Sequence, residues 1–148
     1  MSSHHFKYAE HENFCSAIKN GFLPTVQEHL RKPGSEVNMV IDAGRNALHL
    51  AAEAGRENIL RYLLQHGANP LVEDDTGVSP LLIAIWHGDV TCVKVLLEFG
   101  ADPTGKSPDD ETYVECAKEN PEIQALIKKA IKEWKRIVTR PTVFGQKK

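Results

Sequence analysis

Along residues 44–103 two kinds of apolar cluster alternate, each at helical spacing. Leu48, Ala51 and Ala52 form a narrow face that Gly55 closes; Ile59, Leu60, Leu63 and Leu64 then sit at i, i+1, i+4 and i+5. The second stripe is broader than a lone surface helix carries, so it must meet neighbours on more than one side. The same order returns 33 residues later. Gly44 maps on Gly77, Leu48 on Leu81, Ala51 on Ala84, Gly55 on Gly88, Leu63-Leu64 on Leu96-Leu97, Gly67-Ala68 on Gly100-Ala101 and Pro70 on Pro103. These nine identities fall where backbone geometry and close approach are most demanding, which makes the period an architectural repeat rather than chance.

The frame extends both ways. Downstream, Ala117 takes the place of Ala84, and Leu126-Ile127 follow in register; upstream, Ala17 and Gly21 precede Ala51 and Gly55 by 34 residues. Four units result, near 13–38, 44–70, 77–103 and 111–129, the first and last more polar. Each reads as two short helices, with Gly67 and Gly100 ending the second one. Glu73-Asp74-Asp75-Thr76-Gly77 between units is turn chemistry and predicts a projecting polar hairpin. No unit can bury its stripe alone, so stacking must make the core. The expected fold is all-α: a solenoid of about four repeats with short hairpin fingers and a C-terminal extended helix. Residues 1–12 are expected as a flexible N-terminal segment, 13–129 as the repeat domain and 130–148 as a basic amphipathic helix and tail. In that helix Leu126, Ile127, Ala130, Ile131, Trp134, Ile137 and Val138 recur at three and four spacings, with Lys128, Lys129, Lys132, Lys135 and Arg136 between them. It must stop before Pro141. Capping the last repeat, with lysine stems along apolar surface, is the favoured role over docking to an acidic surface or membrane.

Composition narrows the function classes. The chain has 148 residues, a one-domain length, and a net charge of −2. That total hides an asymmetry: residues 1–127 hold 10 Lys and Arg against 19 Asp and Glu, whereas 128–148 hold 8 against 1. An acidic body argues against nucleic acid and for a basic partner. Three cysteines without CxxC spacing indicate neither a disulfide frame nor a zinc site, and the absence of a signal-like start or a long apolar run fits a reducing compartment. A cytoplasmic monomer is expected, with the nucleus as a second location.

Candidate chemistry is sparse. His4, His5 and His11 with Glu10 and Glu12 could chelate a divalent ion but are better read as a solvated segment, and His29, His66 and His87 form no metal-ligand spacing. Cys92 and Cys116 read as helix-packing residues, and Cys15 has no histidine placed beside it. No phosphate-binding glycine loop or nucleophile elbow occurs. The expectation is a non-catalytic protein with no cofactor, no metal and no small-molecule substrate. Solenoids bind through a concave face of hairpin tips and first helices. On it the frame places Leu50 and Glu53 in one unit and Ile83 and Trp86 in the next, with Trp86 as an apolar anchor. Asp42, Asp74 and Asp75 add acid at the tips, favouring a basic protein partner through steering and register. The candidate partner-binding set is therefore Asp42, Leu50, Glu53, Asp74, Asp75, Ile83 and Trp86.

The 33-residue unit, Asn46-Ala47-Leu48-His49-Leu50-Ala51, Ser79-Pro80-Leu81-Leu82-Ile83-Ala84 and the Gly-Ala-Asn/Asp-Pro endings resemble the ankyrin repeat. That resemblance implies that His49 ties turn backbone together. Ala17-x-Lys19-Asn20-Gly21, Cys92-Val93-Lys94 and Lys106-x-Pro108-Asp109 are not repeat consensus, and with them residues 14–128 resemble the myotrophin family of small ankyrin proteins. The resemblance implies a stoichiometric inhibitor of heterodimeric actin capping protein, with Asp42 and Glu53 meeting basic residues of the partner and Trp86 at an aromatic position. Ser16 and His87 depart from that family, which carries a bulky aromatic and an acid there.

Overall fold

The structure is a computed structural model and describes residues 3–139. Eight helices occur in it: α1 Ser3–Asn20, α2 Leu23–Arg31, α3 Ala47–Ala54, α4 Glu57–Gln65, α5 Pro80–His87, α6 Val90–Glu98, α7 Tyr113–Cys116 and α8 Pro121–Thr139. They pair as α1–α2, α3–α4, α5–α6 and α7–α8. Within the stack α1, α3, α5 and α7 form one row, and α2, α4, α6 and α8 the other. Among the described residues strand pairing is limited to two isolated bridges, Asp42 with Arg45 and Lys106 with Thr112. The fold is thus the all-helical solenoid that the repeat period predicts.

Small residues make the inner row close. Ala51, Ala52 and Ala84 are fully buried where α3 and α5 meet, while Ile59, Leu60, Leu63, Val93 and Leu96 fill the space between the two rows. Ile18 and Val26 close one end of this core and Ile123 and Ile127 the other. Burying each such side chain is worth about 1.5–3 kcal/mol, so the core is a continuous ribbon rather than a cluster per unit.

Caps set the helix starts. The side chains of Asn46, Ser79, Asp89 and Thr112 each accept from a backbone N–H in the first turn of α3, α5, α6 and α7, meeting donors that the helix itself leaves unpaired. Inner helix α7 is a single turn, Tyr113–Cys116, and turn geometry follows it before α8 starts at Pro121.

One boundary differs from expectation. Helix α1 begins at Ser3, so most of 1–12, expected to be flexible, continues the first inner helix. By contrast α8, Pro121–Thr139, is one unbroken 19-residue helix that carries the last outer helix into the expected C-terminal extension. The expected tail 140–148 lies outside the described residues.

Candidate functional site

Three fingers border the inner helices. In the first, Ile41 N–H donates to the Arg45 carbonyl (2.7 Å) and Arg45 N–H to the Asp42 carbonyl (2.8 Å). Ala43 (φ 50°) and Gly44 (φ 76°) are both left-handed, the geometry of the tightest hairpin turn. A Cβ on Gly44 would lie 2.5 Å from Asp75 Oδ1 and 2.7 Å from Asp75 N. The second finger presses against the first there, and Asp75 N–H donates to the Ala43 carbonyl at 2.9 Å. In the third, Ser107 N–H reaches the Glu111 carbonyl (2.8 Å), with Asp109, Asp110 and Glu111 exposed at its tip.

The inner helices are locked to the fingers by two different links. His49 Nδ1 accepts from Asn46 N–H (3.1 Å), which leaves Nε2–H to donate to the Val78 carbonyl (2.9 Å) of the next unit. Burial lowers its pKa, outweighing the Val78 bond, so the neutral ring that this arrangement needs is also the favoured one. In the next unit Leu82 occupies the histidine position and cannot make that bond. There the Tyr113 hydroxyl reaches back across the interface to Ser79 Oγ at 2.7 Å.

The seven candidate site residues separate into four groups. Asp42 and Asp75 are exposed at neighbouring finger tips, and Trp86, 51% exposed, stands on the last turn of α5. Glu53 is exposed on the last turn of α3 but forms an ion pair with Arg45 at the base of the first finger, so its charge is partly spent within the molecule. Asp74 is committed to structure: its Oδ1 accepts from Thr76 N–H (2.8 Å), Thr76 Oγ1–H (2.7 Å) and Val78 N–H (3.0 Å). Burial pushes its pKa up, but these hydrogen bonds outweigh it and the net shift is downward. Leu50 and Ile83 are buried, not exposed as expected. They sit one turn before Glu53 and Trp86 on the same face, where the close approach of the inner helices covers them.

The repeat frame explains why Trp86 is isolated. Its counterparts are Glu53 one unit earlier, Glu119 one unit later and Lys19 in the first unit, all exposed. An indole therefore stands in a row whose other members are charged. Glu119, found by adding one period to 86, and the Arg45–Glu53 pair extend the candidate site beyond the sequence expectation. Phe22, Val40, Leu71 and Ile137 are further exposed apolar side chains; Phe22 maps on Arg56, Asp89 and Glu122 and Val40 on Glu73 and Lys106, so the same comparison of units marks these two as well.

The reactive side chains are muted. Burial, first, and the Asp89 carboxylate push the Cys92 thiol up to about 12; burial also raises Cys15 and Cys116, so thiolates are disfavoured at all three. Among the described residues no His, Cys, Asp or Glu cluster could hold a metal. Of the N-terminal chelating set, Glu10 is bound to Lys32 at 3.1 Å, and the side chains of His4 and His5 lie outside those described. No helix of the described chain is long and apolar enough to cross a membrane.

Comparison with known proteins adds the family context. The family profile described as ankyrin repeats (3 copies) matches residues 14–107. Human BCL-6 corepressor-like protein 1 is 34% identical over 101 residues, 68% of this chain and 6% of that protein. Human ankyrin repeat and MYND domain-containing protein 1 is 46% identical over 109 residues, 66% of this chain and 12% of that protein. Myotrophin of Xenopus tropicalis is 43% identical over 58 residues, 39% of this chain and 48% of that protein. The chain thus spans less than half the length of each of these relatives, and the myotrophin match stands among several of comparable strength.

Proposed function

The chain belongs to the ankyrin-repeat family, and we propose that it is a non-catalytic binding module whose finger-and-inner-helix face holds a basic protein, heterodimeric actin capping protein. The observation that carries this reading is Trp86, a half-exposed indole in a row otherwise charged, together with Asp42 and Asp75 exposed at the finger tips. Large aromatic side chains anchor protein interfaces, and acids around them steer a basic partner and set its register. The partial identity to myotrophin supports the choice of partner. Binding would cover the basic surface with which capping protein holds the filament barbed end, and growth would resume without any bond being made or broken.

A second reading is favoured by the longer match to BCL-6 corepressor-like protein 1, which covers 68% of the chain. In it the same face binds a transcription or signalling protein, and the module acts as an adaptor or inhibitor.

Barbed-end elongation of actin in the presence of recombinant capping protein separates them. Adding the chain should restore elongation, less so at high salt. Asp42→Lys with Glu53→Lys, and independently Trp86→Ala, should each weaken the effect at least about tenfold, roughly 1.4 kcal/mol. Undiminished capping at high micromolar chain would exclude this partner and leave the adaptor reading.

A further inference from the structure

A hollow of about 150 Å³ lies at the roots of the second and third fingers. Leu71 and Glu73 of the second finger, Asp102 and Gly105 before the third, Tyr113 at the start of α7 and Trp134 of α8 line it. That is room for one long side chain and not for a small-molecule ligand, whose pockets run to about 300–1,000 Å³. A Cβ on Gly105 would lie 2.7 Å from the Tyr113 ring and hydroxyl, so the missing side chain is what lets the two meet. Leu71 is 53% exposed and Trp134 half-buried, so apolar surface faces solvent here.

The repeat shows that the fold does not require this hollow. One unit earlier Asn38 ties the root of the first finger to the loop after α4. Its Nδ2–H donates to the Gly67 carbonyl (3.0 Å), and its Oδ1 accepts from Asn69 N–H (2.7 Å). Leu71 stands in the place of Asn38 and has no polar atom with which to reach Gly100 or Asp102, so the later junction is left untied. Its walls change as well: Val40 is replaced by Glu73, Asn69 by Asp102, Pro80 by Tyr113 and Ala101 by Trp134. An uncharged junction without rings becomes one with two carboxylates and two rings.

Glu73 and Asp102 are the only charged residues that line the hollow. Asp102 is oriented by its turn, with Oδ1 accepting from Thr104 N–H (2.8 Å) and Thr104 Oγ1–H (2.6 Å). Neither carboxylate is in an ion pair among the described residues, and Lys106 beside the third-finger wall is engaged by Asp110 at 3.2 Å. Burial raises the Tyr113 pKa; the Ser79 hydrogen bond opposes this, and Glu73 and Asp102 add to it, which puts both within electrostatic reach of the phenol. We propose that the hollow receives the cationic side chain, arginine or lysine, of a protein partner bound along the fingers. The stem would lie against Leu71 and the rings, which also attract a cation through their faces, and the charged end would meet the two carboxylates. This site rests on the basic-partner reading above, though not on capping protein as that partner.

The chain has two tryptophans, Trp86 and Trp134, so Trp86→Phe assigns the indole N–H signal of Trp134 in a nitrogen–proton correlation spectrum. The probe is a capped Gly-Ala-Arg-Ala-Gly peptide titrated into the full chain, with norleucine in place of arginine as its uncharged counterpart. The Trp134 signal should shift and saturate with the arginine peptide alone. Glu73→Gln with Asp102→Asn should weaken that binding at least about tenfold. The asparagine keeps the turn, as Asn69 does one unit earlier by accepting from Leu71 N–H at 2.9 Å. In the actin elongation assay the double variant should also need at least about tenfold more chain to restore growth. No shift at high millimolar peptide, an equal shift with the norleucine peptide, or undiminished binding by the double variant would each overturn the proposal. So would a response that emerges only after Arg140→Gln, Lys147→Gln and Lys148→Gln, which would make the chain's own end the occupant. If the unmodified chain fails to restore elongation while Trp134 still responds, capping protein is excluded and the site stands. If the double variant restores elongation as well as the unmodified chain, the partner stands and the site is overturned.

Discussion

Asn46 carries an amide group that its counterparts lack. Ser79 and Thr112 cap the next two inner helices with a hydroxyl, whereas Asn46 does so with Oδ1 and leaves Nδ2 buried without a hydrogen-bond partner. A buried donor left unpaired costs about 1–3 kcal/mol. Asn46→Thr keeps the acceptor for the first turn and removes the orphan, so the variant should be more stable by about 1 kcal/mol, a melting midpoint roughly 3 °C higher. A lower midpoint would mean that the amide is needed. His49 beside it makes stability depend on pH. Burial holds its folded pKa below the unfolded value of about 6.5, so below that pH the unfolded chain binds protons more readily. The contribution is therefore complete above about pH 6.5 and is lost as pH falls through the folded value. His29, lowered first by burial and then by Lys32, adds a contribution of the same sign. In urea unfolding between pH 5 and 8, His49→Leu should flatten the profile to the His29 remainder. It should also cost about 1–3 kcal/mol at pH 8, where the Val78 carbonyl and Asn46 N–H lose their partner. An unchanged slope would place the titrating group elsewhere.

At the scale of elements, the first finger depends on two adjacent left-handed residues with opposite prospects. Ala43 pays for φ 50° with its Cβ, whereas Gly44 has the freedom for φ 76° and the missing atom that Asp75 requires. Ala43→Asn should stabilise by up to about 1 kcal/mol, and Gly44→Ala should destabilise by about 1–3 kcal/mol, both read from thermal midpoints. Equal small effects would show that the two fingers separate in solution. The period of 33 exposed the pairing of α3 with α4 and α5 with α6, because glycines, alanines and leucines recur wherever helices end or touch. It also led to Trp86, since one aromatic breaks a row of charged counterparts. The burial of Leu50 and Ile83 was not legible in the same way: both share a face with exposed residues, and only the inter-helix distance decides which turn is covered. The Arg45–Glu53 pair and the work done by Asp74 depend on how a finger folds back, which spacing along the chain does not record. The start of α1 at Ser3 escaped because it lies upstream of the repeat, where no second copy exists for comparison.

For the whole molecule, stability is close to a sum over units and the interfaces between neighbours, so the middle is held from two sides and each end from one. The C-terminal end is the weaker construction: α7 is one turn, and α8 packs on α6 only up to about Ile131 before overhanging the stack. Ile127 and Leu63 test this, since both are fully buried and aliphatic but differ in place. Either one changed to Ala removes comparable apolar surface and should cost about 2–5 kcal/mol locally. Leu63→Ala sits between units and should lower amide protection throughout α3–α6 and lower the melting midpoint of the chain. Ile127→Ala should release α7 and α8 alone, with hydrogen exchange accelerated there and α3–α6 still protected, because the outer units can open without the central ones. The same release would leave Asp42, Asp75 and Trp86 in place, so the finger-and-inner-helix face would outlast the C-terminal end. Uniform loss of protection in both variants would instead show one cooperative body, in which no surface can be switched off separately.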